Sequence, residues 1–139
     1  MNNIIKQDSD YDCMLACLAN YVGQPIAKVF DKELIDSIND AKTCTDDNID
    51  KSFNAVGLKR GSENGDGFFS MYVSATDARS RVIKSLLRDR KAIIQVPSLN
   101  YEDGSHMVYW DGKELIDPST KQVYYWLSQI NMEYIFLLP

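Results

Sequence analysis

The stretch His106-Met-Val-Tyr-Trp110, Asp111-Gly112, Lys113-Glu-Leu-Ile-Asp117 decides how this chain reads. Two strand-like runs flank Asp-Gly, a dipeptide suited to the positive φ angles of a two-residue type I′ turn. A hairpin in that register sets Trp110 opposite Lys113 and, counting outward, His106 opposite Asp117. Directly opposed residues share one face of a sheet, with Cβ atoms about 4.5–5.5 Å apart. The expected hairpin therefore stands a carboxylate beside the only histidine of the chain, where it can hold the imidazole tautomer and stabilise the imidazolium. A slip of one residue would send the two side chains to opposite faces.

Outward from the hairpin, residues 92–96, 114–116 and 134–138 are short apolar or aromatic runs bounded by turn residues, and 68–73 is a further strand. Toward the N-terminus the period changes. Tyr11, Met14, Leu15, Leu18, Tyr21 and Val22 form one stripe of a helix over 11–23, stopped at Gly23. Pro25 suits the first turn of a second helix with Ile26, Val29, Phe30, Leu34 and Ile38 on one face. A polar stretch over 39–48 leads to a weaker helix ending at Gly57, and the Gly- and Asp-rich run 61–67 reads as a loop. Ser74 or Thr76 can cap a helix running to about residue 90, with Val82, Ile83, Leu86 and Leu87 facing inward. Residues 3–6 read as a short strand or an extended arm. Helices first and strands later, without βαβ alternation or repeats, predict an α+β fold with an antiparallel sheet. No linker interrupts the 139 residues, so 1–139 is expected to be one domain.

Composition narrows the function classes. The chain is 45% apolar and carries 15 Lys and Arg against 20 Asp and Glu, a net charge of −5. That balance, without a basic patch interleaved with aromatics, argues against nucleic acid as a partner. No run approaches the roughly 20 apolar residues that span a bilayer, so no membrane insertion is expected. The first residues lack the basic stretch and apolar run of a secretory signal. Cys13, Cys17 and Cys44 make an odd count, which suits reduced thiols in a cytoplasm, bacterial or host. Oligomeric state is not legible.

Cys13 falls opposite the apolar stripe of its helix, beside Ala16 and Asn20, where a cysteine present only for packing is not expected. It also lies in the first turn, where unpaired N–H groups and the helix dipole favour a thiolate. Asp8, Asp10 and Asp12 would oppose that charge if close in space, and Asp12 reads as the helix cap. Gln7, six residues before Cys13, supplies an amide donor which, with the Cys13 N–H, can serve an oxyanion. A zinc site from Cys13, Cys17, Cys44 and His106 is disfavoured because the C-x-x-C knuckle is missing. No metal or cofactor is expected. Tyr101, Tyr109, Trp110, Tyr124, Tyr125 and Trp126 read as sheet and core residues, and the loop over 97–105 is placed to flank a cleft beside His106.

The segment Gln7-Asp-Ser-Asp-Tyr-Asp-Cys13-Met-Leu-Ala-Cys17-Leu-Ala resembles the opening of the bacteriocin-exporter leader peptidases, a papain-like family in which a Gln precedes an Asp-Cys pair at a helix start. His106, followed by Ile116-Asp117-Pro118-Ser, resembles the family's His-bearing strand and the strand after it that ends in Asp-Pro. The resemblance runs from residue 7 to 118. It implies a papain-like fold, a helical lobe on an antiparallel sheet, with Cys13 as nucleophile, His106 as general base and acid, Asp117 as the orienting carboxylate and Gln7 as oxyanion donor. Met14 stands where the family usually has Gly, which is expected to narrow the substrate cleft. The His-to-Asp connection is short and no transporter domains follow in this sequence, so the family's double-glycine leader specificity is not carried over.

These readings predict a cysteine hydrolase that cleaves a peptide or isopeptide amide of a protein or peptide substrate through an acyl-enzyme. Deamidation or acyl transfer uses the same machinery. A non-catalytic papain-like module, binding a partner through an acidic surface with Asp8, Asp10, Asp12, Asp46, Asp47 and Asp50, is the alternative from a different class.

Overall fold

The structure is a computed structural model that describes residues 4–42, 45–73, 81–97, 105–124 and 132–139. Helix α1 (Cys13–Val22) ends where Gly23 adopts φ 75° and returns its N–H to the Ala19 carbonyl, a left-handed cap that favours glycine. The expected second helix is two helices. α2 (Ile26–Val29) stops at Phe30, whose backbone is extended, and α3 (Lys32–Ala41) restarts where the Asp31 side chain accepts the Leu34 N–H. Pro25 sits just before α2 as its cap residue, not inside the first turn. α4 (Asp46–Ala55) begins with Thr45 accepting the Asn48 N–H. A side-chain cap of this kind contributes about 1 kcal/mol.

After α4 the chain turns to strands. β1 (Lys59–Arg60) and β2 (Gly67–Tyr72) pair in parallel across the glycine-rich turn. Gly67 is required there, since a Cβ would meet the Ser62 carbonyl oxygen at 1.8 Å. Helix α5 (Arg81–Leu87) precedes β3 (Ala92–Pro97), β4 (Ser105–Trp110), β5 (Leu115–Asp117), β6 (Gln122–Tyr124) and β7 (Tyr134–Leu137). Strands β2-β7-β3-β4-β5-β6 form an antiparallel sheet in that order, with β1 outside β2. The short strands β1 and β6 have no counterpart in the sequence reading. The N-terminal end of the expected α5 helix, the loop over 98–104 with Tyr101, and Tyr125 and Trp126 lie outside the described residues, as does Cys44.

Alternation along each strand divides two cores. Ile93, Met107, Tyr109, Ile116 and Phe136 face α1 to α4, packed with Leu15, Leu18, Ile26, Ile38 and Phe53. Ile94, Val108, Trp110, Leu115, Ile135 and Leu137 face the other way, with Ile83 and Leu87 of α5. The Trp110 indole N–H donates to the Leu87 carbonyl at 2.7 Å, fastening that second layer. The N-terminal helices thus pack on one face of the sheet, as expected, and α5 covers the other. No helix among the described residues is long and apolar enough to cross a membrane.

Helix α1 departs from the expected amphipathic stripe. Every residue from Cys13 to Asn20 is buried, so the side opposite the stripe is also interior. Cys13 is 8% exposed and Cys17 fully buried, both within the helical-side core. Helix α1 is enclosed by β3 and β4 and by α2 and α4, and the N-terminal arm lies along its polar side. Asn20 accepts the Ile5 N–H and donates to the carbonyls of Ile5 and Ala16, drawing residues 4–7 over the polar side of the helix.

Candidate active site

The hairpin register differs from the expected one by two residues. Tyr109 pairs with Ile116 and Trp110 with Leu115, so the connection is not a two-residue Asp-Gly turn. Asp111 closes it as a longer loop: its side chain accepts the Lys113 and Glu114 N–H groups, and its own N–H donates to the Glu114 carbonyl. Gly112 takes φ 104° within it. A carboxylate able to bridge two N–H groups favours this loop over the tighter turn. Because the shift is even, the faces do not exchange. His106 and Asp117 are no longer directly opposed, but they remain diagonal neighbours within reach of long side chains. The His106 Nε2 lies 2.8 Å from Asp117 Oδ1.

Asp117 is held from its own turn. Its Oδ1 also accepts the Ser119 N–H at 2.9 Å and the Ser119 hydroxyl at 2.7 Å. Burial disfavours the carboxylate, but the hydrogen bonds from His106 and Ser119 outweigh it and hold the group below its ordinary range. An ionised carboxylate can only accept, so the His106 Nε2 carries a hydrogen and donates. Burial likewise opposes a charged imidazole at His106. The hydrogen bonds and charges of Asp117 and Cys13 overcome it and raise the ring from 6.5 to about 9. With Nε2 committed to Asp117, Nδ1 is the nitrogen left to meet Cys13.

The two described cysteines differ chemically. Burial, together with the neighbouring Cys13 and Asp117, pushes the Cys17 thiol well above its ordinary value, which keeps it protonated and inert. Cys13 stands at the first residue of α1, near enough to His106 to be among the groups that raise the ring. Met14 is fully buried in the core, so its side chain does not narrow an open cleft as expected. Among the described residues no cluster of three or more His, Cys, Asp or Glu is arranged to hold a metal.

Asp12 is not the helix cap it was expected to be. It occupies the cap position, yet its side chain makes no capping bond and its backbone, at φ −102° and ψ 24°, lies outside the usual cap conformation. The carboxylate turns back to accept the N–H groups of Asp8 and Ser9, forgoing about 1 kcal/mol that a cap typically contributes. Gln7 donates its Nε2 to the Ser9 carbonyl at 2.7 Å, and its backbone N–H donates to the Pro118 carbonyl at 3.0 Å. The arm bearing Gln7 is thereby stitched to the turn that follows Asp117.

The structure thus brings Cys13, His106 and Asp117 together and ties Gln7 to the same turn. Ser119 escaped the sequence reading. Its signal was Asp117-Pro118-Ser119, since an Asp side chain commonly accepts the N–H two residues on. Ser9 escaped it as well. Its hydroxyl joins Asn39 of α3 and accepts the Tyr11 N–H, contacts with no local sequence signature. No protein-family model matches the chain, and no curated protein matches it.

Proposed function

We propose that the chain is a papain-like cysteine hydrolase, similar in its catalytic plan to the bacteriocin-exporter leader peptidases. The observation that carries this reading is His106, whose Nε2 lies 2.8 Å from the Asp117 carboxylate while Cys13 stands near enough to favour the charged ring. Support also comes from the placement of the three groups. The cysteine opens a helix of the N-terminal layer, the histidine stands near the start of a central strand, and the aspartate ends the next strand.

The Cys13 thiol passes its proton to His106, its sulfur attacks the carbonyl carbon of an amide, and the carbonyl electron pair moves onto oxygen. That oxyanion accepts hydrogen bonds from the Cys13 N–H and the Gln7 amide. As the intermediate collapses the C–N bond breaks, and the leaving amine takes the proton from His106. The neutral ring then removes a proton from water. The hydroxide attacks the thioester, the C–S bond breaks to release the acid, and the ring returns its proton to the sulfur. Asp117 stays ionised and keeps the ring in the orientation that serves both steps.

The test is incubation with a peptide library read by mass spectrometry. New termini with the wild type and none with Cys13→Ala support peptide hydrolysis. Gln-to-Glu conversions without new termini move the assignment to deamidation. No change to any peptide or protein acceptor, with function retained in Cys13→Ala, contradicts catalysis and favours the binding module.

A further inference from the structure

Asp12 is a charged residue that the triad does not use, and it is 1% exposed beside the nucleophile. Its two oxygens accept from Asp8 N–H at 3.1 Å and Ser9 N–H at 3.0 Å. The Ser9 carbonyl accepts the Gln7 amide at 2.7 Å, and the Gln7 backbone reaches Pro118. One continuous set of hydrogen bonds therefore runs from the residue before Cys13, through the Gln7 side chain, to the residue after Asp117.

This set fixes which way the Gln7 amide points. Reversing it would turn its oxygen toward the Ser9 carbonyl, two acceptors face to face. The nitrogen must face Ser9, and one of its two hydrogens has no acceptor among the described residues. The Gln7 Oε1 is buried and has no partner among the described residues, so no bond of its own holds the amide in place. Its orientation depends on Ser9, whose backbone N–H is held by Asp12 while its hydroxyl is held by Asn39 and the Tyr11 N–H. Meanwhile the first-turn N–H groups of α1 receive no side-chain cap. A capping carboxylate would occupy them and place negative charge where a substrate oxyanion develops.

We infer that Asp12 is a positioning residue of the oxyanion hole: it aims the Gln7 amide through the Ser9 turn and leaves the start of α1 uncapped for the substrate oxygen. The inference rests on the hydrolase reading above. It makes Asp12 a determinant of oxyanion binding, not of thiol reactivity.

Two probes separate those properties. A short peptide aldehyde, acetyl-glycyl-glycinal labelled with ¹³C at the aldehyde carbon, adds the Cys13 S–H across its C=O to give a hemithioacetal. That adduct calls on the oxyanion donors and has its own carbon resonance. Iodoacetamide alkylates the sulfur by displacing iodide at a saturated carbon, and no oxyanion forms. Asp12→Asn keeps the shape but sets an amide NH₂ against one of the two N–H donors.

Aldehyde affinity is expected to fall by about tenfold or more in Asp12→Asn and in Gln7→Ala, because each loses one aimed oxyanion donor. The double variant should lose no more than Gln7→Ala alone, since the two act as a unit. The alkylation rate of Cys13 should stay within about twofold in Asp12→Asn. If Asp12→Asn fails to fold, Asp12→Ser, which keeps one acceptor oxygen, is read in the same two assays. Unchanged aldehyde affinity overturns the inference, as do losses that multiply in the double variant or an alkylation rate that falls in parallel. A wild-type Cys13 that neither alkylates ahead of Cys17 nor takes up the aldehyde overturns the hydrolase reading itself.

Discussion

Asp117 and Cys13 both favour the charged form of the His106 ring and raise it from 6.5 to about 9. The linkage has a definite sign. A ring raised from 6.5 to about 9 contributes stability that is complete below pH 6.5 and lost as pH rises through 9. The lowered Asp117 contributes in the opposite sense: its share is present above 3.8 and lost as pH falls through its folded value. Catalysis inherits the upper boundary, because the imidazolium must protonate the leaving amine. The kcat/KM profile of the wild type on its cleaved peptide is therefore expected to decline near pH 9. Asp117→Asn, which removes an acceptor and a negative charge from the ring, should bring that decline to lower pH and reduce kcat by about 10²-fold or more. An unmoved limb would separate Asp117 from His106 in function. The residue types of this site were legible in the sequence because there is one histidine and one Asp-Pro turn beyond it. The direction of the Asp12 carboxylate was not. Ser, Asp and Asn can bond forward into a helix or backward into a loop, and only the path of residues 8–11 decides between them.

The hairpin shows how an incorrect register can preserve a correct pairing. Asp111-Gly112 signalled a turn, but the Asp111 side chain builds a longer loop by accepting two N–H groups. Parity, not exact opposition, put His106 and Asp117 on one face. The α2–α3 break was hidden for a similar reason: the apolar spacing runs across it, and the interruption comes from the Asp31 cap. The arm and α1 form another unit. Asn20 alone satisfies both polar groups of the Ile5 backbone, so Asn20→Ala leaves them unpaired. That variant should lose about 1–3 kcal/mol in urea unfolding, and hydrogen exchange at the Ile5 amide should accelerate. A fully protected Ile5 amide in Asn20→Ala would show that the arm is held by other contacts.

Across the whole molecule, one sheet serves two cores, and the helix stripes carrying Leu15, Leu18, Ile26, Ile38, Ile83 and Leu87 were readable from sequence. Which face of the sheet each helix covers was not. A fully buried strand such as Ile93-Ile94 carries apolar residues on both faces and does not announce what covers each one. The helical side is anchored by Phe53, stacked on Phe68 with ring centroids 3.9 Å apart and packed against Phe136 at 5.7 Å. Phe53→Ala should cost about 3–5 kcal/mol, lowering the midpoint of unfolding well below that of surface variants. A loss under 1 kcal/mol would mean that α4 does not couple to the sheet through this ring.

The fold brings the start of α1 against β4, and the account stands on what that contact does to one sulfur. The most direct measurement is the rate of Cys13 alkylation by iodoacetamide at pH 6.5, followed by peptide mass spectrometry in the wild type and in His106→Ala. An imidazolium paired with Cys13 predicts that the rate falls by about tenfold or more in the variant, with the fold unchanged by circular dichroism. Equal rates in the two proteins would contradict the Cys13–His106 pair and the hydrolase built on it.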